Sequence, residues 1–286
     1  TSFHSYDEPT FQETFELQIS SNEDTWGSDR LTWVAGLYHL EAGGGFDRIF
    51  FEISGETGIG SVLDALPDFV TDILSPVTGF PITLESGGNI TIESDSVYAQ
   101  GDYRITDNVI ATVGVRYQEE TRGLVRNYLD VVNPLINQDN NIEYFKGDDR
   151  SQNINVANFS VPDISDESVA PRFALQWFAS DSVQVFASAS RAFKSQTYNI
   201  LNFFSAPDAV DKSTTTAFEI GFKSDLFDDT LRLNGAIFQS TTDSPIASIV
   251  SLTSGGVVRF FNAGESQTEG VELEALWQPM VNLNPG

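Results

Sequence analysis

Cysteine is absent from this 286-residue chain, which removes disulfide scaffolds, zinc–thiolate centres and cysteine nucleophiles from consideration. Basic residues are scarce. Fifteen Lys and Arg stand against 41 Asp and Glu, for a formal net charge of -26. That balance excludes a nucleic-acid partner, because attraction of a basic surface to phosphate dominates such binding. No run of about 18 apolar residues occurs, so no transmembrane helix is encoded. A membrane is not thereby excluded, since a spanning strand needs only about ten residues and turns every second one to lipid.

Chemistry-bearing groups are equally thin. The two histidines, His4 and His39, are isolated and read as ordinary strand residues. No Ser-His-Asp arrangement is legible. Gly43-Gly44-Gly45 precedes no helix with a lysine, so it reads as a loop hinge rather than a phosphate cradle. Glu119-Glu120 and Asp148-Asp149 read as solvated acid, not a glycosidase pair. No spaced calcium-ligand loop is present. The expectation is no catalytic, cofactor-binding or metal-binding residue, no cofactor and no enzyme.

Alternation is what the sequence does contain. Val97, Ala99, Gly101, Tyr103 and Ile105 share one face, and Ser96, Tyr98, Gln100, Asp102 and Arg104 the other, the period of two that a strand requires. Thr106-Asp107-Asn108 makes a tight turn. The return carries Val109, Ala111, Val113, Val115 and Tyr117 opposite Thr112, Gly114 and Arg116. The unit recurs around Ser180-Asp181-Ser182 and Phe227-Asp228-Asp229-Thr230, and again before Gln278-Pro279. An earlier pair spans residues 11–20 and 31–40. Nine strands are counted, with a tenth beginning at Val281.

Tight turns follow every second strand. The other connections, residues 41–88, 123–166, 195–213 and 241–256, are long. Short turns at one end and long loops at the other are the asymmetry of outer-membrane barrels. Asp102, Arg104, Arg116, Arg172, Gln176, Glu219, Lys223, Glu272 and Glu274 fall on one face, with aliphatics and aromatics on the other. A polar lumen and an apolar lipid face fit that division, whereas a soluble barrel reverses it. Periodicity by itself does not choose between them. Strand length favours the membrane, because soluble strands average about 5–6 residues. Tyr103, Tyr117, Trp177, Phe222, Phe227 and Trp277 lie near strand ends, as interface girdles do. Roughly helical spacing between Gly60 and Pro76 predicts a short helix on the first long loop.

Several stretches carry a family resemblance. Phe11–Ser20 with Leu31–Tyr38 is similar to an early hairpin in the barrels of TonB-dependent outer-membrane receptors. Ser96–Gln100 with Val113–Tyr117, Ala170–Trp177 with Ser190–Lys194, Thr216–Lys223 with Leu231–Phe238, and Asn262–Glu265 with Glu269–Glu274 resemble the hairpins that follow. The resemblance implies an all-β fold, an antiparallel up-and-down transmembrane β-barrel, here a partial barrel of about ten strands. It also implies that residues 1–286 are part of a single barrel domain whose plug and final strands are absent. The chain begins at Thr1 without Met or leader, and both ends read as cut. The implied role is active transport of a scarce nutrient, such as a ferric siderophore or a saccharide, across the outer membrane. The implied partners are outer-membrane lipid, an extracellular small molecule, and the TonB energy-coupling complex acting through the missing plug. A passive porin or adhesin barrel, or a secreted soluble β-protein, is the alternative. Tyr128, Tyr144, Phe145, Tyr198, Phe203 and Phe204 place aromatics beside Asn, Asp and Arg in the long loops. They are the candidate substrate-binding residues, with simple loop packing as the competing role.

Overall fold

The computed structural model describes residues 2–6, 10–25, 27–53, 82–132, 150, 153–200, 206–251 and 257–278. The strands are β1 (Ser2–Tyr6), β2 (Phe11–Ser20), β3 (Leu31–Ile53), β4 (Ile82–Thr106), β5 (Val109–Val131), β6 (Ile154–Phe159), β7 (Ile164–Ser180), β8 (Val183–Lys194), β9 (Thr197–Tyr198), β10 (Ala209–Val210), β11 (Ser213–Leu226), β12 (Leu231–Asp243), β13 (Ile246–Ser251), β14 (Val257–Asn262) and β15 (Glu265–Trp277). One 11-stranded antiparallel sheet runs β1-β3-β4-β5-β7-β8-β11-β12-β15, with β2 on β3 and β6 on β5. β1 and β2 are one interrupted wall strand: Tyr6 faces Arg48 and Phe11 faces Gly43, the same register on both sides of the break. The wall thus has nine strands, each antiparallel to the next, as the alternation predicts. The tenth, expected from Val281, and the helix expected between Gly60 and Pro76 lie outside the described residues.

Four connections expected as loops are partly strand. β3 and β4 run on to Ile53 and back from Ile82, and β5 continues to Val131 with β6 beside it. Residues 241–256 hold the rest of β12 and all of β13, which pairs with β14 just beyond them, and a two-residue pairing, β9–β10, lies inside 195–213. Sheet ladders are made by backbone groups, so Gly- and Glu-rich segments that hide the alternation pair as well as Val-rich ones. Gly43-Gly44-Gly45 is therefore no loop hinge: it lies within β3. Gly45 has φ 154 just before a register shift between Phe46 and Ile49, and a Cβ there would collide with the Gly88 carbonyl oxygen.

The tight turns line up along one end. Arg104 N–H donates to the Arg30 carbonyl (2.7 Å), Phe178 N–H to Asn108 (2.8 Å), Asp225 N–H to Ser182 (2.9 Å) and Gln278 N–H to Thr230 (2.8 Å). Asp107 and Asp181 therefore share an end, as predicted. The long connections occupy the other end.

The two faces invert the soluble order. Val97, Val113, Val115, Phe173, Leu175, Phe218, Ile220, Ile237, Val271 and Leu273 are all exposed, while Ser94, Ser96, Thr112 and Glu120 on the opposite face of β4 and β5 are buried. The enclosed face of the wall is polar and the open face apolar. On β4, β5 and β7 the apolar stretch runs Val97–Ile105, Val109–Tyr117 and Val169–Trp177. Nine residues of tilted strand rise about 23 Å, close to the apolar band of a spanning barrel. Tyr103, Trp177 and Trp277 are exposed at its tight-turn border, and Tyr117 at the other. Beyond Tyr117 the open face turns acidic at once. Asp95, Glu119 and Glu167 are direct cross-strand neighbours, as are Glu13, Glu41 and Glu93. His39 pairs with Asp95 at 2.9 Å.

Candidate functional site

The long-connection end is the candidate site. There the wall height is uneven. β3, β4 and β5 have 23, 25 and 23 residues, against 12 in β8 and 13 in β12. At about 3.3 Å per residue, β4 is roughly 80 Å long, well beyond what an apolar band needs. The surplus of these three strands rises past the acidic rows.

A buried polar network ties the risen segment together. Arg48 Nε and Nη2 each donate to Glu85 at 2.7 Å, and the pair is almost completely shut off from solvent (3% and 0% exposed). Tyr128 Oη donates to Glu85 at 3.0 Å and Asn153 Nδ2 at 2.7 Å. The carboxylate is thereby satisfied, as a buried charge must be. Asp130, facing Glu85 across the ladder, accepts from Asn155 Nδ2 at 2.7 Å and lies 3.5 Å from Arg150, whose guanidinium covers the Tyr128 ring at 3.5 Å. Burial, only partly countered by Asn155, Arg150 and Asn153, pushes the Asp130 carboxyl above its ordinary range. Burial, with Glu85 beside it, pushes the Tyr128 phenol far up. Arg126, with φ 57, sits in the β5 bulge that resets the register between Gly87 and Asn89.

The lower half of the rim is built by the β8–β11 connection and the hairpin β13–β14. Tyr198 Oη donates to the Pro162 carbonyl, and burial raises its phenol. Asn199 and Asn262 tie the connection to the hairpin, and Arg259 Nη2 reaches both Asp208 oxygens at 3.1 Å. Between them lies a cleft of about 440 Å³ lined by Asp208, Val210, Ile249, Arg259, Phe260 and Phe261.

Of the six sequence candidates, Tyr128 and Tyr198 are buried at 3% and 2% exposure, the first bonded to Glu85 of β4 and the second to the Pro162 carbonyl. Tyr144, Phe145, Phe203 and Phe204 lie outside the described residues. Sequence reading missed the exposed apolar side chains Ile249, Val250, Val258, Phe260 and Phe261 on the hairpin. The β-branched and aromatic runs on either side of Ser254-Gly255-Gly256 were the available signal. Among the described residues no group of three or more His, Asp or Glu is arranged to hold a metal ion.

Ion pairs form at both ends of the wall, with Arg232 joined to Asp225 at 2.6 Å near the tight turns. Arg48, Arg122, Arg150, Lys212 and Arg259 at the rim each pair with a carboxylate. Arg104, Arg116 and Arg172 on the enclosed face of β4, β5 and β7 form no ion pair among the described residues; Arg116 lies over the Tyr38 ring at 5.4 Å. The enclosed wall is closely fitted elsewhere. Tyr98 crosses Gly36 to donate to Glu16 at 2.6 Å, and the Phe186 ring covers Gly221.

A family model described as "TonB dependent receptor-like, beta-barrel" matches residues 2–286. Solved structures with the same fold include the ferric yersiniabactin uptake receptor FyuA of Yersinia pestis, at 16% identity and a TM-score of 0.64 over 96% of this chain. The FrpB iron transporter of Neisseria meningitidis (F5-1 variant) is 17% identical, with a TM-score of 0.55 over 94%. The copper transporter OprC is 10% identical, with a TM-score of 0.50 over 95%. The alignments cover 33%, 34% and 44% of those chains, so this chain spans about a third of the first two.

Proposed function

The chain belongs to the TonB-dependent receptor β-barrel family, and on that premise we propose that it forms wall and extracellular rim of an active-transport receptor for a scarce nutrient. The family is one of outer-membrane transport receptors, and the inverted wall matches that location. The observation that carries the reading is the joint one: apolar side out, polar side in, and every long connection at one end. A lipid-facing band about nine residues tall with a polar lumen serves transit, and a structured rim at one end serves capture.

In this reading residues 1–286 belong to one barrel domain, and the plug and energy-coupling segment are supplied by other parts of the polypeptide. The partners are outer-membrane lipid, a small extracellular ligand and the TonB complex acting through the plug. Catalysis has no part in it. The neighbours named for ferric yersiniabactin, iron and copper make a metal chelate the first cargo to test, with saccharides next.

The test is transport by cells carrying or lacking the complete gene, with labelled ferric chelates and oligosaccharides at nanomolar concentration. Gene-dependent uptake that stops when the proton gradient is collapsed supports the proposal. Gene-dependent uptake that continues after collapse identifies a passive porin and overturns it.

A further inference from the structure

The described parts of the β8–β11 connection, residues 195–200 and 206–212, touch three separate parts of the rim. Both of its ends converge on Asp166 at the start of β7. Gln196 N–H donates to Asp166 Oδ2 at 3.4 Å and Lys212 Nζ to Oδ1 at 3.2 Å, while Gln196 Nε2 reaches the Ser165 carbonyl at 2.8 Å and Lys212 the Glu167 carbonyl at 2.6 Å. Ile200 reaches β4, two wall strands beyond β7. A Cβ on Gly88 would lie 2.8 Å from Ile200 Cγ2, so a glycine leaves room for that approach.

The third attachment is reciprocal. Asn199, only 2% exposed, gives Nδ2 to the Phe260 carbonyl at 2.9 Å and takes the Phe260 N–H on Oδ1 at 2.6 Å. Asn262 returns the arrangement, giving Nδ2 to the Asp211 carbonyl at 2.9 Å and taking the Asp211 N–H at 2.8 Å. Each amide thus presents a donor and an acceptor to one residue of the other loop, as a neighbouring strand would. The Asp208–Arg259 pair lies between the two clips.

We infer that the described parts of the β8–β11 connection, residues 195–200 and 206–212, act as a keystone: they and the strands β13 and β14 form one body, anchored on Asp166, whose contacts open and close as a unit. Two surface loops without such ties open independently, each at low free energy. Here neither moves without breaking both two-bond clips and the ion pair between them. The aromatic pair Phe260–Phe261 is therefore placed by a side chain of a different loop.

Hydrogen exchange resolved to single residues, on the complete protein in detergent without ligand, tests it. In Asn199→Leu the exchange of Phe260 N–H must rise, because its acceptor is gone. If the two loops are one body, Asp211 N–H at the untouched clip speeds up as well, by tenfold or more. Asn262→Leu then speeds Phe260 by a similar factor. The amides of Phe218 and Ile220 in β11 stay unchanged and report that the wall is intact. If each substitution speeds only the amide whose acceptor it removes, the loops are independent and the inference fails. Should Asn199→Leu disturb β11, Asn199→Asp replaces it. That variant keeps the acceptor for Phe260 N–H and loses the donor, so faster exchange at Asp211 supports the single body and an unchanged rate there overturns it.

Discussion

At the scale of single residues, the wall is governed by which side of the sheet a side chain leaves from. Val113 and Thr112 are adjacent, yet one is 56% and the other 6% exposed. An arginine at Val113 would stand in the lipid band, where a midplane charge costs about 2–4 kcal/mol. An arginine at Thr112 would enter the polar lumen. Val113→Arg is therefore expected to slow or abolish folding of the complete protein into lipid vesicles, with Thr112→Arg clearly milder. Gel mobility with and without heating distinguishes them. Close packing sets a second residue-scale limit. A Cβ at Gly221 would lie 2.6 Å from both the Gly235 carbonyl oxygen and the Phe186 ring. The backbone contact leaves no cheap relief, so Gly221→Ala should lower stability by about 1–3 kcal/mol, the usual cost of overpacking. A fall in the urea midpoint is the measurement.

At the scale of elements, the risen segment of β3, β4 and β5 depends on its buried charges. Removing one partner of a buried pair leaves the other uncompensated, at a cost of about 3–5 kcal/mol. Glu85→Ala should therefore fray the distal parts of these strands, seen as new protease cleavage near residues 48 and 128, while the wall below stays protected. Asp130 adds a pH dependence of known sign. Its folded pKa is raised from 3.8, chiefly by burial. Its stabilising contribution is thus complete below 3.8 and is lost as pH rises through the raised value. Amide protection of β6, corrected for intrinsic exchange, should decline over that interval, and Asp130→Asn should remove this component. An unchanged profile in Asp130→Asn would assign the dependence to another group.

At the scale of the molecule, the sheet is open among the described residues. β2 and β15 pair on one side only, and each leaves a row of unpaired N–H and C=O groups. Such edges are not tolerated in hydrocarbon, which has no water to satisfy them. Residues 1–286 alone are expected not to yield a closed, protease-resistant monomer in vesicles. Refolding followed by heat-modifiable mobility and protease protection checks this. A compact monomer with β15 paired to β2 would mean that this sheet closes on itself.

The nine wall strands, the tight turns and the composition of each face were legible in the sequence, because these are local: side chains alternate with period two, and Asp-Asn or Asp-Ser pairs bend the chain where it must reverse. The sequence did not reveal the upper reaches of β3, β4 and β5. Segments such as Ile82–Glu93 carry Ser, Gly, Asn and Glu, and they are strands because a partner backbone lies alongside. Aromatic composition drew attention to Tyr128 and Tyr198, yet their burial depends on what folds over them, from Asn153 and Arg150 in one case and Pro162 in the other. The asparagine clips join residues about 50 or 60 apart in the chain, so no window of sequence contains them. Which face is open was likewise a tertiary decision. Alternation separates apolar from polar side chains, but only the way the strands assemble into a wall encloses Ser96 and Thr112 and leaves Val97 and Val113 outside.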